Sequence, residues 1–368
     1  FFEATLIPMY FLIGGFGGAR RSYAAVKFLL FSLAGGLVML ASVIGLYASS
    51  VQLTGTPTYL LDQLATLQLD PQLGRWLMLG FLFAFVVKAP MVPVHTWLPT
   101  AAEESTPGTS VLLVGILDKI GTFGMIKFCL WLFPEASTWV APAMVVLALV
   151  SILYGAIAAI GSPNLLRLVA YTSISHFGFM VLGIYTFTSA GISGSIFYMV
   201  NHGFSTAALF LVIGFLISRR GSALVADFGG VQKVAPVLTG VFLMAGLSGL
   251  ALPGMSSFVS EFMVLAGAWS RQPGVAAVAT IGTVLAAVYI LRMYQRTMTG
   301  PVTPDVERTF TRDATAREKW VAAPVLAAIL LLGFVPNLAL TVINPSAQTT
   351  LARVGVADPV APLGEEAK

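Results

Sequence analysis

The chain has 368 residues, of which 57% are hydrophobic and only 10% are Asp, Glu, Lys or Arg, against about 25% charged in an ordinary soluble domain. So few polar side chains cannot wet the surface of a soluble fold of this size. A mean hydropathy of +0.88 agrees, and the composition describes an all-α, polytopic membrane chain. The net charge of +4 comes from basic residues spread over loops, so no nucleic-acid surface is expected. A single cysteine, Cys129, excludes an intrachain disulfide and a four-cysteine zinc or iron–sulfur site. There is no Gly-Lys dipeptide and hence no P-loop, and no GxGxxG follows a strand. Redox or nucleotide chemistry therefore falls to a partner.

Ten apolar segments follow in chain order: 1–18, 23–48, 75–98, 109–132, 139–161, 164–187, 192–218, 237–268, 274–297 and 320–343. At one span per ~35 residues, loops included, a chain of this length holds about ten helices. The runs are too long and too uniformly apolar for barrel strands. The first residue is Phe and the sequence opens inside an apolar stretch with no n-region, h-region and cleavage site in order. That start reads as no signal peptide, and further residues are expected ahead of it. The connections 49–74, 219–236 and 298–319 are too small for a soluble domain.

Orientation follows from the basic residues. Arg20, Arg21, Lys27, Arg167, Arg219, Arg220, Lys233 and the six Arg and Lys between Arg292 and Lys319 fall on one side, here side A. The opposite side B carries few, and the turn 188–191 has none. Side A is therefore read as cytoplasmic.

Two segments violate the simple helical rule. The third contains Pro90, Pro93 and Pro99 in VVKAPMVPVHTWLP. The eighth is about 32 residues, or ~48 Å as a straight helix, against ~30 Å of hydrocarbon. Leu252-Pro253-Gly254 sits at its middle. Both are expected to be broken helices, since non-helical backbone at membrane depth is tolerated only when buried in protein or lining a polar cavity. They lie five segments apart and so run in opposite directions, the arrangement of inverted-topology repeats. The expected division is 1–132 for an incomplete first repeat, 139–297 for a second, inverted repeat, and 298–368 for a loop, a last span and a tail.

Few ionisable residues fall inside the spans: Glu3, Lys88, Asp118, Lys119, Lys127, His176, His202 and Glu261. A charged, unpaired side chain near the bilayer centre costs at least ~2.5–3.5 kcal/mol, so each should be paired, wetted or neutral. Burial penalises the charged form of lysine and of glutamate alike, and groups placed so can take up and release protons. Lys88 directly precedes the first break, Glu261 lies eight residues after Pro253, and Lys119 is central in the fourth segment. Plainer roles compete for the others. Lys127 is five residues from a span end and can snorkel. Asp118 adjoins Lys119, but neighbours on a helix point about 100° apart and do not face each other. His176 and His202 could be hydrogen-bonded packing residues, and His95 beside Trp97 reads as interfacial. No Ser/His/Asp spacing or His-rich metal motif supports hydrolysis.

The stretch FVVKAPMVPVHTWLPTAAEESTPGTSVLLVGILDKIGTFGMIKF resembles the central signature of the antiporter-like subunits of proton-pumping NADH:quinone oxidoreductase. LLRLVAYTSISHFGFMVLGI, FYMVNHGFSTAALFLVIGFL and LPGMSSFVSEFMVL continue the match in order. The resemblance implies a fourteen-span fold of which this sequence holds the fifth to fourteenth spans. It implies that Glu3 matches the glutamate of the fifth family span, Lys88 the pumping lysine, Lys119 the connecting lysine, and His176 and His202 the relay histidines. Glu261 stands at the terminal site, where one branch of the family has glutamate and the others, Mrp-type subunits included, usually have lysine. Two departures stand out: Thr100-Ala101-Ala102 replaces the usual Asp-Ala-His after TWLP, and Asp118 replaces an apolar residue before the connecting lysine.

The resemblance thus implies a proton-translocating subunit in a bacterial plasma membrane, within a complex whose other subunits hold NADH, FMN, iron–sulfur clusters and quinone. No cofactor or metal is expected in this chain. Other membrane and peripheral subunits, sister antiporter-like chains and lipid are the expected partners. A subunit of a Mrp-type cation/proton antiporter or membrane-bound hydrogenase, and a non-transporting assembly scaffold, are the alternative readings.

Overall fold

The computed structural model describes residues 2–359; Phe1 and the end of the expected tail, 360–368, lie outside the described residues. The described chain is helical throughout: α1 (Leu6–Phe16), α2 (Arg21–Thr54), α3 (Pro71–Lys88), α4 (Trp97–Glu104), α5 (107–130), α6 (Pro134–Gly161), α7 (Leu165–Tyr185), α8 (Ser189–Arg220), α9 (Pro236–Gly249), α10 (Ser256–Arg271), α11 (Pro273–Met298), α12 (Ala316–Phe334) and α13 (Asn337–Val354). Each apolar segment of the sequence has its helix or helix pair. Five of them, α2, α6, α7, α8 and α11, are each long and apolar enough to cross a membrane. Their outward faces present bare apolar side chains such as Leu30, Leu37, Ile44, Ile157 and Val284, as lipid or neighbouring spans require.

Local chemistry sets the helix starts. The Asp70 side chain accepts from the Gln72 and Leu73 amides ahead of α3, with Pro71 in the first turn. Asn164 accepts from the Leu166 and Arg167 amides before α7. A Thr315–Glu318 capping box opens α12. These side chains satisfy amides that a helix leaves unpaired at its N-terminus.

Both expected breaks are present. α3 ends at Lys88 and α4 resumes at Trp97, whose indole donates to the Val87 carbonyl at 3.0 Å; the Val92 amide donates to Ser151 Oγ of α6 at 3.1 Å. Between α9 and α10 the joint 250–255 holds Ala251 at φ 56° and Gly254 at φ 92°. Gly254 is in the left-handed range that side-chain-bearing residues avoid. The joint is covered by α12, where Gly333 lies so close to the Gly254 carbonyl that a Cβ would collide with it.

Two features depart from the plain-span reading. The fourth segment is not a uniform α-helix: π-helical turns over Leu113–Leu117 and Met125–Leu130 interrupt it. The last segment, 320–343, is the middle of two helices, α12 and α13, bent by 66° at Val335-Pro336, where the proline ring cannot continue a helix from its preceding turn. Apolar content runs through this corner unchanged, so hydropathy passes over it. Arg353 of α13 donates to the Trp131 carbonyl at 3.2 Å and to the Ala65 carbonyl.

The loops sort as the alternation of spans requires. On side A, Arg20 pairs with Glu104 at 3.2 Å, Arg167 with Glu103 at 3.0 Å, Arg219 with Glu318 at 2.6 Å and Arg220 with Asp305 at 2.7 Å. On side B, Asp358 caps Ser189 and Arg271 reaches the Ala357 carbonyl. The apolar interior divides likewise into two main clusters. One gathers Phe28, Trp97, Leu166, Val169, Val212, Phe242 and Met293 toward side A. The other gathers Phe81, Met125, Met144, Met180, Ile192 and Ala268 toward side B. Between them lies a layer in which the helices carry polar side chains.

Two expectations concern this packing. A methyl on Gly121 would meet the Ala89 amide and the Phe85 carbonyl, backbone atoms that cannot yield, so Gly121→Ala should cost about 1–3 kcal/mol. Gly240→Ala, with open space around it, should gain up to about 1 kcal/mol of helix propensity; thermal unfolding of both variants in one detergent reads the contrast. Asp313, in the loop before α12, accepts from the Val237, Leu238 and Ala314 amides and so caps α9 from a distance. Burial alone would raise its carboxyl, but these amides and Lys319 hold it below its usual value. Its stabilisation is therefore present above the unfolded carboxylate pKa of roughly 3.9 and lost as pH falls through the lower native value. Asp313→Ala should cost about 1 kcal/mol at neutral pH, and stability curves of variant and wild type should converge as pH falls through the lowered native value.

Candidate functional site

The polar layer contains the ionisable residues singled out in the sequence. Lys88, the last residue of α3, is 1% exposed and its ammonium has no hydrogen-bond partner among the described residues. It is flanked by the rings of Phe2 and Phe28, 5.3 and 5.6 Å from their centroids, which a cation favours. Glu3 rests its carboxylate against Gly36 of α2. Glu3 and Lys88 form no direct ion pair within 4.0 Å among the described residues.

Asp118 and Lys119 sit where the first π-turn of α5 ends. Asp118 is 0% exposed with both carboxylate oxygens unpartnered among the described residues. Lys119 Nζ donates to the Val114 carbonyl inside the widened turn, lies 2.7 Å from His202 Nδ1 of α8, and stands 5.3 Å from the Phe177 ring.

From His202 the line continues. The His202 and His176 rings meet edge to face, centroids 5.1 Å apart. His176 Nε2 lies 3.3 Å from the Tyr289 hydroxyl, and its ring is 5.8 Å from that of Tyr198. The Tyr198 hydroxyl donates to Glu261 Oε2 at 2.7 Å, and Thr283 Oγ1 donates to Glu261 Oε1 at 2.5 Å. Glu261, in the second broken helix, is 4% exposed. Asn201, beside His202, donates to the Ser256 carbonyl at 2.8 Å and to Ser260 Oγ at 3.3 Å, which ties α8 to the first turn of α10.

The structure thus brings Lys119, His202, His176 and Glu261 into one sequence of contacts, with Lys88, Glu3 and Asp118 on its other flank. Lys127 stands apart: it is half-buried, with its ammonium 4.8 Å from the Trp131 ring, at the side-B end of α5. Three participants escaped the sequence reading, Tyr198, Tyr289 and Thr283. Tyr198, Asn201 and His202 are spaced i, i+3, i+4 and form a polar stripe on α8; that spacing was the available signal. Thr283 and Tyr289 lie in an otherwise apolar span and carry none. Among the described residues, no group of three or more His, Cys, Asp or Glu is placed to hold a metal ion.

Broken antiparallel helices meeting in a buried row of lysine, histidine and carboxylate groups define an integral, multi-pass membrane protein of the antiporter-like class. The chain belongs to the NADH:quinone oxidoreductase/Mrp antiporter family, whose transmembrane model matches residues 1–286. It is 53% identical over 365 residues to NADH-quinone oxidoreductase subunit M of Mycobacterium tuberculosis, covering 98% of this chain; the chain spans 66% of that relative's length. Among solved structures it is similar to a chain of respiratory complex I from Thermus thermophilus with bound NADH, at TM-score 0.88 and 33% identity over 96% of this chain and 74% of that one. It shares its fold with a chain of the Mrp complex from Dietzia sp. DQ12-45-1b, at TM-score 0.81 and 24% identity over 96% of this chain and 74% of that one.

Removing one donor from a buried acceptor costs about 1–3 kcal/mol. Tyr198→Phe and Thr283→Val should each destabilise the protein by that order. The double variant, which strips both oxygens of Glu261, should lose more than the two single losses together, as read by thermal unfolding of the purified protein.

Proposed function

We propose that the chain translocates protons as an antiporter-like membrane subunit of a NADH:quinone oxidoreductase. The observation that carries this reading is the line of neighbouring titratable and hydroxyl groups from Lys119 through His202, His176 and Tyr198 to Glu261, set in a layer between two apolar clusters. Titratable groups in that setting are costly for stability alone and are suited to passing protons. The glutamate at position 261 and the name of the M. tuberculosis relative both favour the subunit M type over the lysine-bearing Mrp type.

In this reading quinone reduction elsewhere in the complex alters the field around Lys88. The negative charge of Glu3 holds Lys88 protonated, and weakening that attraction drives its proton toward Lys119. Lys119 gives a proton to Nδ1 of His202, and His176, with the Tyr289 and Tyr198 hydroxyls, conveys it to the Glu261 carboxylate for release on side B. Water bridges the gaps where side chains do not touch. Asp118 and Lys127 modulate the path. The halves 1–132 and 139–297 act as two inverted repeats, each contributing one broken helix. NADH, FMN, iron–sulfur clusters and quinone belong to partner subunits, with sister antiporter-like chains alongside in a bacterial plasma membrane.

The test uses the assembled complex in proteoliposomes. Lys88→Ala should leave assembly intact while strongly reducing proton translocation per electron. Glu261→Gln, which cannot titrate, should abolish most pumping. Glu261→Lys should not restore it, because the carboxylate and the ammonium differ by one charge in each protonation state and the Tyr198 and Thr283 hydroxyls are oriented as donors to an anion. Wild-type pumping in Lys88→Ala and Glu261→Gln would overturn the reading in favour of a scaffold, and sodium-dependent transport would favour a cation antiporter.

A further inference from the structure

Asp118 is the most deeply buried acid of the polar layer, and it is placed between two lysines on different helices. The placement comes from the helix faces of α5. Asp118, Gly121 and Gly124 recur at a spacing of three and share one face. Gly121 is pressed against Ala89 and the Phe85 carbonyl, and Gly124 against the Phe85 ring, so this face addresses the end of α3, where Lys88 stands. Gly115 instead abuts the Gly203 carbonyl of α8, and Lys119 reaches His202 on that same helix. The two consecutive residues therefore serve two different neighbours.

The π-turn makes this possible. The Asp118 amide bonds to the Leu113 carbonyl, five residues back, at 3.1 Å, and the widened turn also offers the Val114 carbonyl to Lys119. π-bulges within α-helices concentrate at functional sites. Gly121, one turn along that face from Asp118, packs directly on Ala89, the residue next to Lys88. Yet neither carboxylate oxygen is engaged in a hydrogen bond among the described residues. A static counter-ion at 0% exposure would be expected to saturate its oxygens, because an unmet buried acceptor is expensive.

We propose that Asp118 is a proton-carrying residue that joins Lys88 to Lys119, so that the lysine of the first broken helix communicates with the histidine line through a carboxyl group. The step balances in protons and charge. The Lys88 ammonium gives its proton to the Asp118 carboxylate, leaving a neutral amine and a neutral acid. The acid then gives a proton to the neutral amine of Lys119, restoring the carboxylate and forming the Lys119 ammonium. A hydrogen-bonded water completes each transfer that the side chains do not span directly. The inference rests on the proton-translocating reading above and adds a station to it.

The experiment compares Asp118→Asn, Asp118→Leu and Asp118→Glu with Lys88→Ala in the full complex, reconstituted and normalised to assembled complex by its FMN content. Asp118→Asn and Asp118→Leu should each lower proton flux by about 100-fold, the low end of what a positioned proton-transfer group contributes; Asp118→Glu, which retains the acid, should keep most of it. Infrared difference spectra on reduction by NADH should show a protonated carboxyl band in wild type that Asp118→Asn removes. Leucine suits a dry site, so Asp118→Leu remains informative if asparagine impairs assembly. Wild-type flux in Asp118→Leu or Asp118→Asn, with Lys88→Ala impaired, would overturn the carrier role while leaving the proton-pumping reading intact. Wild-type flux in Lys88→Ala as well would instead remove the pumping reading on which the inference stands.

Discussion

Everything in this fold is subordinate to one constraint: a polar group at mid-membrane depth must be met by another polar group or by water. The chain satisfies it by dividing its apolar interior into two clusters and concentrating the exceptions in the layer between. The helix breaks belong to the same solution. A continuous α-helix uses every backbone group internally, whereas the joints at 89–96 and 250–255 free amides and carbonyls. Trp97, Ser151, Asn201 and the close-packed Gly333 then engage or cover what the joints expose. The same residues that make the breaks tolerable also fix where Lys88 and Glu261 stand.

Rigidity within the layer is uneven. Glu261 is held by two hydroxyl donors and Lys119 by a carbonyl and an imidazole. Lys88 and Glu3 have no hydrogen-bond partner at their charged atoms among the described residues, and Lys88 is cushioned by aromatic rings. The Glu261 end of the layer is thus tightly held, while the Lys88–Glu3 end is left to longer-range charge. Fields of that kind respond to small displacements of a helix, because the interaction between unscreened charges changes steeply with separation at low dielectric.

Much of this was legible in the sequence, for identifiable reasons. Hydropathy located the long helices, since burial in lipid leaves long apolar runs. Proline and glycine within those runs located both breaks. The rarity of charge in the spans made Lys88, Lys119 and Glu261 conspicuous. What was hidden had no linear signature. The π-turns of α5 lie within an evenly apolar run and leave no mark in hydropathy. The corner at Pro336 lies inside continuous hydrophobicity. Tyr289 and Thr283 become polar partners only because α11 rotates them toward His176 and Glu261. Asp313 caps a helix that begins 77 residues earlier in the chain, at Pro236.

The bend between α12 and α13 has a bearing on how the protein is made. Arg353 fastens to carbonyls at Ala65 and Trp131, and Asp358 to Ser189, so three side-B loops from well-separated parts of the chain are cinched by a segment that leaves the ribosome long after them. Chains fold as they emerge, earlier parts first. Closure of the side-B rim therefore follows the emergence of the helices it ties, because Arg353 lies beyond the corner at Pro336.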